Sequence, residues 1–165
     1  FDVVVIDTRP SIEAADLAIV LGGVDYVGVT TTTRPSDVLS AVETIRDGVR
    51  PAGVDYAVLV TNHDTRDGQT RVVDVRSSLE AQGVPVVATV MRRYSGLSDG
   101  FVTGELPATI IGPHHTEIRA DVAAVAAEIA GKAGVRIPET VIDLRPEPPR
   151  RRGVLGRVRE KAVKK

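Results

Sequence analysis

Phe1-Asp2-Val3-Val4-Val5-Ile6-Asp7-Thr8-Arg9-Pro10-Ser11 (residues 1–11, FDVVVIDTRPS) opens the chain, and its reading decides the fold. A short continuous apolar run ending in a carboxylate, with proline and serine close behind, is the pattern of a central parallel strand that hands over to a helix. Asp7 then stands at the carboxyl end of that strand, where open α/β sheets hold their ligands. A carboxylate in that place either serves the magnesium ion of a bound nucleotide or caps the following helix, and the short motif by itself allows both.

Working outward, strand and helix signals alternate. Pro10-Ser11 opens a helix to about Leu21, stopped by Gly22-Gly23, and Tyr26 to Thr33 is rich in β-branched residues and reads as a second strand. Ser36 is a candidate N-cap for a helix with Val38, Val42, Ile45 and Val49 on one face, ended by Gly48 and Pro51-Ala52-Gly53. Asp55 to Thr61 is a third strand, Val72, Val75 and Leu79 mark a helix closed by Gly83, and Pro85 to Met91 is a fourth strand. An irregular stretch from Arg92 to Pro107 leads to a short apolar run, Ala108 to Ile111. Ile118, Val122, Val125 and Ile129 line one side of a helix from Thr116 to Ala133, with Gly134 as its C-terminal stop. This alternation predicts an α/β fold with a parallel sheet, doubly wound in three layers. The carboxyl-end rim then carries Asp7 to Pro10, Thr31 to Arg34, Thr61 to Asp64 and Met91 to Arg93.

Composition supports the fold and narrows the chemistry. Apolar residues make up 42% of the 165 but aromatics only 3%, so Val, Ala, Ile and Leu must build the core, which suits buried parallel strands. Cysteine is absent, which excludes disulfides and thiolate metal sites. No apolar run approaches the length of a membrane span, and a cytoplasmic location is the expectation. The chain begins at Phe1 and has one methionine, Met91, so the sequence predicts an incomplete N-terminus. Three parts follow: a nucleotide-binding α/β domain over 1–137, a Pro-rich linker over 138–149 and a basic tail over 150–165. The tail holds eight basic residues against one acidic, a charge of +7, whereas the rest holds 13 basic against 21 acidic, or −8.

Residues 1–11 closely resemble the (Y/F)-D-x-(I/V)-(I/V)-(I/V)-D-(T/C/S)-P-P-S segment of the ParA/MinD family of deviant Walker A P-loop ATPases, and later stretches resemble that family's motifs in the same order. Asp25 to Pro35 is similar to its next strand, and Val58-Leu59-Val60-Thr61-Asn62 to the strand whose terminal Asn reads adenine. Thr89-Val90-Met91-Arg92-Arg93 to Ser98, then Gly104 to Pro107, is similar to its T-x-I-P-R…(L/F)-x-x-A…G-x-P block. The resemblance covers about residues 1–133 and implies the C-terminal part of a P-loop NTPase-like domain. It implies Asp7 at the magnesium ion, through a water, and at the switch, with Asn62, Met91 and Arg92 at the adenine. The full-length parent would use Mg²⁺ and ATP, form an ATP-bound homodimer, answer to a ParB-like or other adaptor protein, and position plasmids, chromosomes or other cargo on the nucleoid.

Two departures qualify this. Arg9 stands where the family has Pro, and the phosphate-binding pattern G-K-G-G-x-G-K-(S/T) is absent; Gly131-Lys132 is followed by Ala133 with no glycine loop upstream. The chain by itself is therefore expected to hold no cofactor and to hydrolyse no ATP. The alternatives are a MinD-like division-site ATPase with a membrane-targeting tail and, from another class, a non-catalytic truncated paralogue acting as a binding module. A guanine reader would need Asp where Thr65 stands, and Asn62 is equally a residue of polar turns. His63, His114 and His115 show no metal-ligand spacing and are expected to be solvated. Arg92, Arg93, Arg150, Arg151, Arg152 and Arg157 are candidates for DNA or partner contact. A helical tail would gather Val154, Leu155, Val158 and Ala162 on one face, similar to a MinD-like membrane-targeting helix. That face lacks Phe, Trp, Ile and Met, so disorder when free ranks first, DNA or partner contact next and membrane last.

Overall fold

The computed structural model describes residues 3–9, 13–104 and 112–136; the run Ala108 to Ile111, the linker and the basic tail with Arg150, Arg151, Arg152 and Arg157 lie outside the described residues. Its centre is a parallel pair, β1 (Tyr26–Thr31) and β2 (Asp55–Val60), in register from Tyr26 opposite Asp55 to Thr31 opposite Val60. Residues 85–93 run parallel along the other edge of β2. Val58 donates its N–H to Pro85 O and accepts from Val87 N–H, both at 2.8 Å, and Met91 N–H reaches Val60 O at 3.0 Å. Bridges form only at Val58–Val86 and His63–Arg92, so the predicted fourth strand is an irregular companion of β2.

Helices cover both faces of this narrow sheet. On one side α1 (Ala14–Leu21), α2 (Pro35–Thr44) with its continuation, and α4 (Thr70–Ala81) enclose a cluster of Leu21, Val29, Ala41, Ile45, Val49, Val58, Leu79 and Val84. On the other side α6 (His115–Lys132) packs Val125 against Ala57, Leu59 and Val87. Both clusters are aliphatic, as an aromatic-poor composition requires, and each fully buried Val, Leu or Ile contributes about 1.5–3 kcal/mol.

Several local expectations change. Ser36 is not the cap of α2: Arg34 holds that position, Ser36 Oγ turns to Asp37 Oδ1 at 3.1 Å, and Thr32 Oγ1 accepts from Arg34 N–H while donating to Asp37 Oδ2 at 2.6 Å. Gly48 does not end the helix. It lies in a π-turn (Ile45–Val49) that carries α2 into a last turn, α3 (Arg50–Ala52). Pro51 has no N–H to donate into this stretch, which accounts for the wider turn. A Cβ on Gly48 would meet Leu17 Cδ2 at 3.0 Å, so the glycine admits α1. The stretch after Arg92 is not irregular throughout, because Ser95–Thr103 forms α5. Gly134 does stop α6, in the left-handed region at φ 69°, with Val135 N–H bonded to Ala130 O at 2.8 Å.

The predicted first strand is absent. Residues 3–9 have no regular secondary structure, and Val3, Val4, Val5 and Ile6 are 51–88% exposed. A strand is stabilised by its neighbour's ladder, and among the described residues no ladder forms against this segment. The α/β class therefore stands, with a two-stranded parallel sheet among the described residues rather than four regular strands.

Candidate functional site

Beyond the carboxyl end of β2 the chain turns sharply. Thr61 N–H bonds to Thr31 O at 2.7 Å, and Thr61 Oγ1 donates to the same oxygen at 3.1 Å, closing the β1–β2 pair. Asn62 follows in the left-handed region at φ 54°, a conformation that Asn accepts more readily than most side chains. The chain then zips to the parallel segment: His63 N–H donates to Met91 O at 3.2 Å and Arg93 N–H to His63 O at 2.8 Å. This brings Asn62 beside residues 91–93, about thirty positions away in sequence.

Between them lies an open cleft of about 390 Å³, lined by Asn62, Met91, Arg92, Tyr94, Ser95 and Leu97 among others. It offers an exposed amide, two flexible apolar walls and an aromatic ring, a mixture suited to a flat heteroaromatic group with a hydrogen-bonding edge. Asn62, Met91 and Arg92, assigned to one ligand by resemblance, therefore line one space.

Arg92 is already engaged. Its guanidinium grips Asp121 of α6 with two parallel bonds, Nε to Oδ2 at 2.8 Å and Nη2 to Oδ1 at 2.7 Å, and its Cζ lies 5.4 Å from the Tyr94 ring centroid. Tyr94 donates its hydroxyl to Asp121 Oδ2 at 2.9 Å. Burial pushes the Asp121 carboxyl up, but the bonds from Arg92 and Tyr94 outweigh it and hold it below the ordinary aspartate value. Burial first, then the bond to that carboxylate, raises the Tyr94 phenol. Arg92 is thus ion-paired within the fold, with its side chain 36% exposed. Arg93 is exposed and lines a second open space of about 380 Å³ with Asp64, Arg66, Ser95 and His114 among others. Asp64 is held far below the usual carboxylate range by Arg66, which bonds it through side chain and backbone.

No known protein-family profile matches the chain. The chain is similar to the Maintenance of carboxysome distribution protein A of Gloeobacter kilaueensis, 29% identical over 129 residues. The match covers 78% of this chain and 59% of that relative, so the chain spans little more than half the length of the curated protein it resembles. This similarity loosely supports the ParA/MinD resemblance, within which the adenine assignment of Asn62, Met91 and Arg92 was made.

Asp7 is not brought to the cleft. It is exposed in the 3–9 segment and lines neither space, while its neighbour Arg9 pairs with Asp16 of α1 at 2.9 Å. A magnesium ion needs one or two carboxylates together with phosphate oxygens and waters. Among the described residues no group of three or more His, Asp or Glu is placed to hold a metal.

Two residues escaped the sequence reading. Asp121 sits among Ile118, Val122 and Val125 on the buried side of α6, only 9% exposed. An acid at a core-facing helical position was the available signal. His63 was expected to be solvated, yet it is 2% exposed and neither ring nitrogen has a hydrogen-bond partner among the described residues. The bridge to Arg92 pulls it inward, and nothing in the local pattern announces that contact.

Proposed function

We propose that this chain belongs to a ParA-type ATPase that positions intracellular cargo, and that its cleft takes the adenine ring of the nucleotide. The observation that carries this reading is the convergence of Asn62 with Met91 and Arg92 on one open cleft at the carboxyl end of β2. Support also comes from the order of the motifs and from a relative named for the maintenance of carboxysome distribution. Asn62 would meet the adenine edge, since its amide both donates and accepts, while Met91 flanks the ring. Asp7 would serve magnesium and the switch only beside a phosphate-binding loop, and these 165 residues contain no such pattern. Nucleotide-dependent homodimerisation, an adaptor that stimulates hydrolysis, and non-specific DNA contact through the +7 tail belong to the same proposal.

The test is base-selective binding, followed with ribose-labelled ADP and GDP on the purified full-length parent, phosphate-binding loop included. Adenine preference is expected, and Asn62→Ala should weaken ADP binding by about 1–3 kcal/mol through a stranded hydrogen-bond partner. ADP and GDP binding alike, or an Asn62→Ala protein that binds ADP as before, would remove the adenine assignment. The absence of the phosphate-binding pattern favours a second reading, a module that binds partners without turnover; hydrolysis lost with Asp7→Ala would count against it.

A further inference from the structure

The segment that leads into the cleft wall has a gap in its sheet hydrogen bonds. From Ala88 to Val90 the segment takes no backbone bond from β2, and the ladder resumes only at Met91. Side chains from helices on both faces fill this gap. Arg76 of α4 donates to Val87 O from one side. From the other, Glu128 of α6 accepts Ala88 N–H at 2.6 Å, Thr89 N–H at 2.9 Å and Thr89 Oγ1 at 3.1 Å. Two helical turns earlier on the same helix, Asp121 takes Arg92 and Tyr94, with Val125 buried between the two acids. Seven residues of a rigid helix thus set the distance between two carboxylates, and these two grip the strand-like segment on either side of Met91, which lines the cleft.

We infer that Asp121 is a positioning residue for base recognition: by holding Arg92 and Tyr94 together it fixes the wall of the cleft against which the base is read, without touching the ligand. This rests on the adenine reading above. An Arg fork closed on one carboxylate has a single planar geometry, and the Tyr94 hydroxyl on the same Oδ2 fixes the ring that flanks Arg92. Replacing the carboxylate by an amide keeps the shape but discards the charge that holds the fork, so the loop gains alternative positions and the base loses a fixed wall opposite Asn62.

The experiment compares ADP with UDP, which share ribose and diphosphate and differ in the base alone, on the purified full-length wild-type parent, phosphate-binding loop included, and on its Asp121→Asn, Tyr94→Phe and double variants. The ADP/UDP affinity ratio should fall about tenfold in Asp121→Asn, mainly through ADP, and by a smaller factor in Tyr94→Phe. Because both act through one carboxylate, the double variant should lose no more than Asp121→Asn does. An equal loss of both nucleotides would make Asp121 merely structural and overturn the inference, as would an unchanged ratio or strictly additive losses. If Asp121→Asn does not fold, Tyr94→Phe decides through the same ratio, since it removes a single hydroxyl. A wild-type protein indifferent to the base would overturn the adenine reading and this inference together, whereas a wild-type preference that survives in the variants would overturn the inference only.

Discussion

Residues 3–9 and residues 88–94 carry the same kind of sequence signal, an apolar run leading to functional side chains at a strand's carboxyl end. Their fates differ. The second run is bonded to β2 at Met91 and gripped from α6 by Glu128 and Asp121, so Met91 and Arg92 face Asn62 across a defined space. The first finds no ladder among the described residues, its four apolar side chains stand more than half exposed, and Asp7 lines neither space. A motif becomes a site only where other elements supply its hydrogen bonds, because a lone strand gains too little to offset the entropy of ordering it.

The largest effect that would sharpen this contrast is a core truncation beside β2. Leu79 is fully buried against the cluster under β1 and β2, and Leu79→Ala should destabilise by about 2–5 kcal/mol in urea unfolding. A loss below about 1 kcal/mol would show that the sheet is not the stable part of the molecule.

Glu128→Gln should cost less, about 1–2 kcal/mol, since the amide still accepts one of the two backbone N–H bonds. It also has a pH signature. Burial pushes the Glu128 carboxyl up, but the bonds from Ala88 and Thr89 outweigh it, and its pKa in the folded protein lies below the ordinary value. A depressed carboxylate contributes stability that is complete above its unfolded pKa, about 4.3, and lost as pH falls through the folded one. The gap between wild type and Glu128→Gln should therefore be full near neutrality and shrink below about pH 4. A gap constant from pH 7 to pH 3 would remove the charge from the explanation.

The smallest effect belongs to the unpartnered segment. Val5 is 88% exposed, and Val5→Ser should change unfolding stability by no more than about 0.5 kcal/mol. A cost of 2 kcal/mol or more would mean that residues 3–9 are packed in solution, and the contrast between the two regions would break.

The sequence by itself determined the α/β class, the two strands at the centre and the helices beside them, because apolar periodicity and glycine or proline stops are local properties. β1 and β2 appear within a residue or two of expectation, and α6 stops at Gly134 for the reason its sequence suggests. Asn62, Met91 and Arg92 were legible as candidates through resemblance, at positions on the rim that strand ends define. Tertiary structure alone decided the rest. It withheld a ladder from residues 3–7, buried His63, turned Arg92 from a free cation into the partner of Asp121, and gave Glu128 the backbone bonds that the irregular segment lacks. Each of these depends on a partner far along the chain. A carboxylate on a helix reads the same in sequence whether it faces water or a guanidinium, and only packing brings the second group within 3 Å.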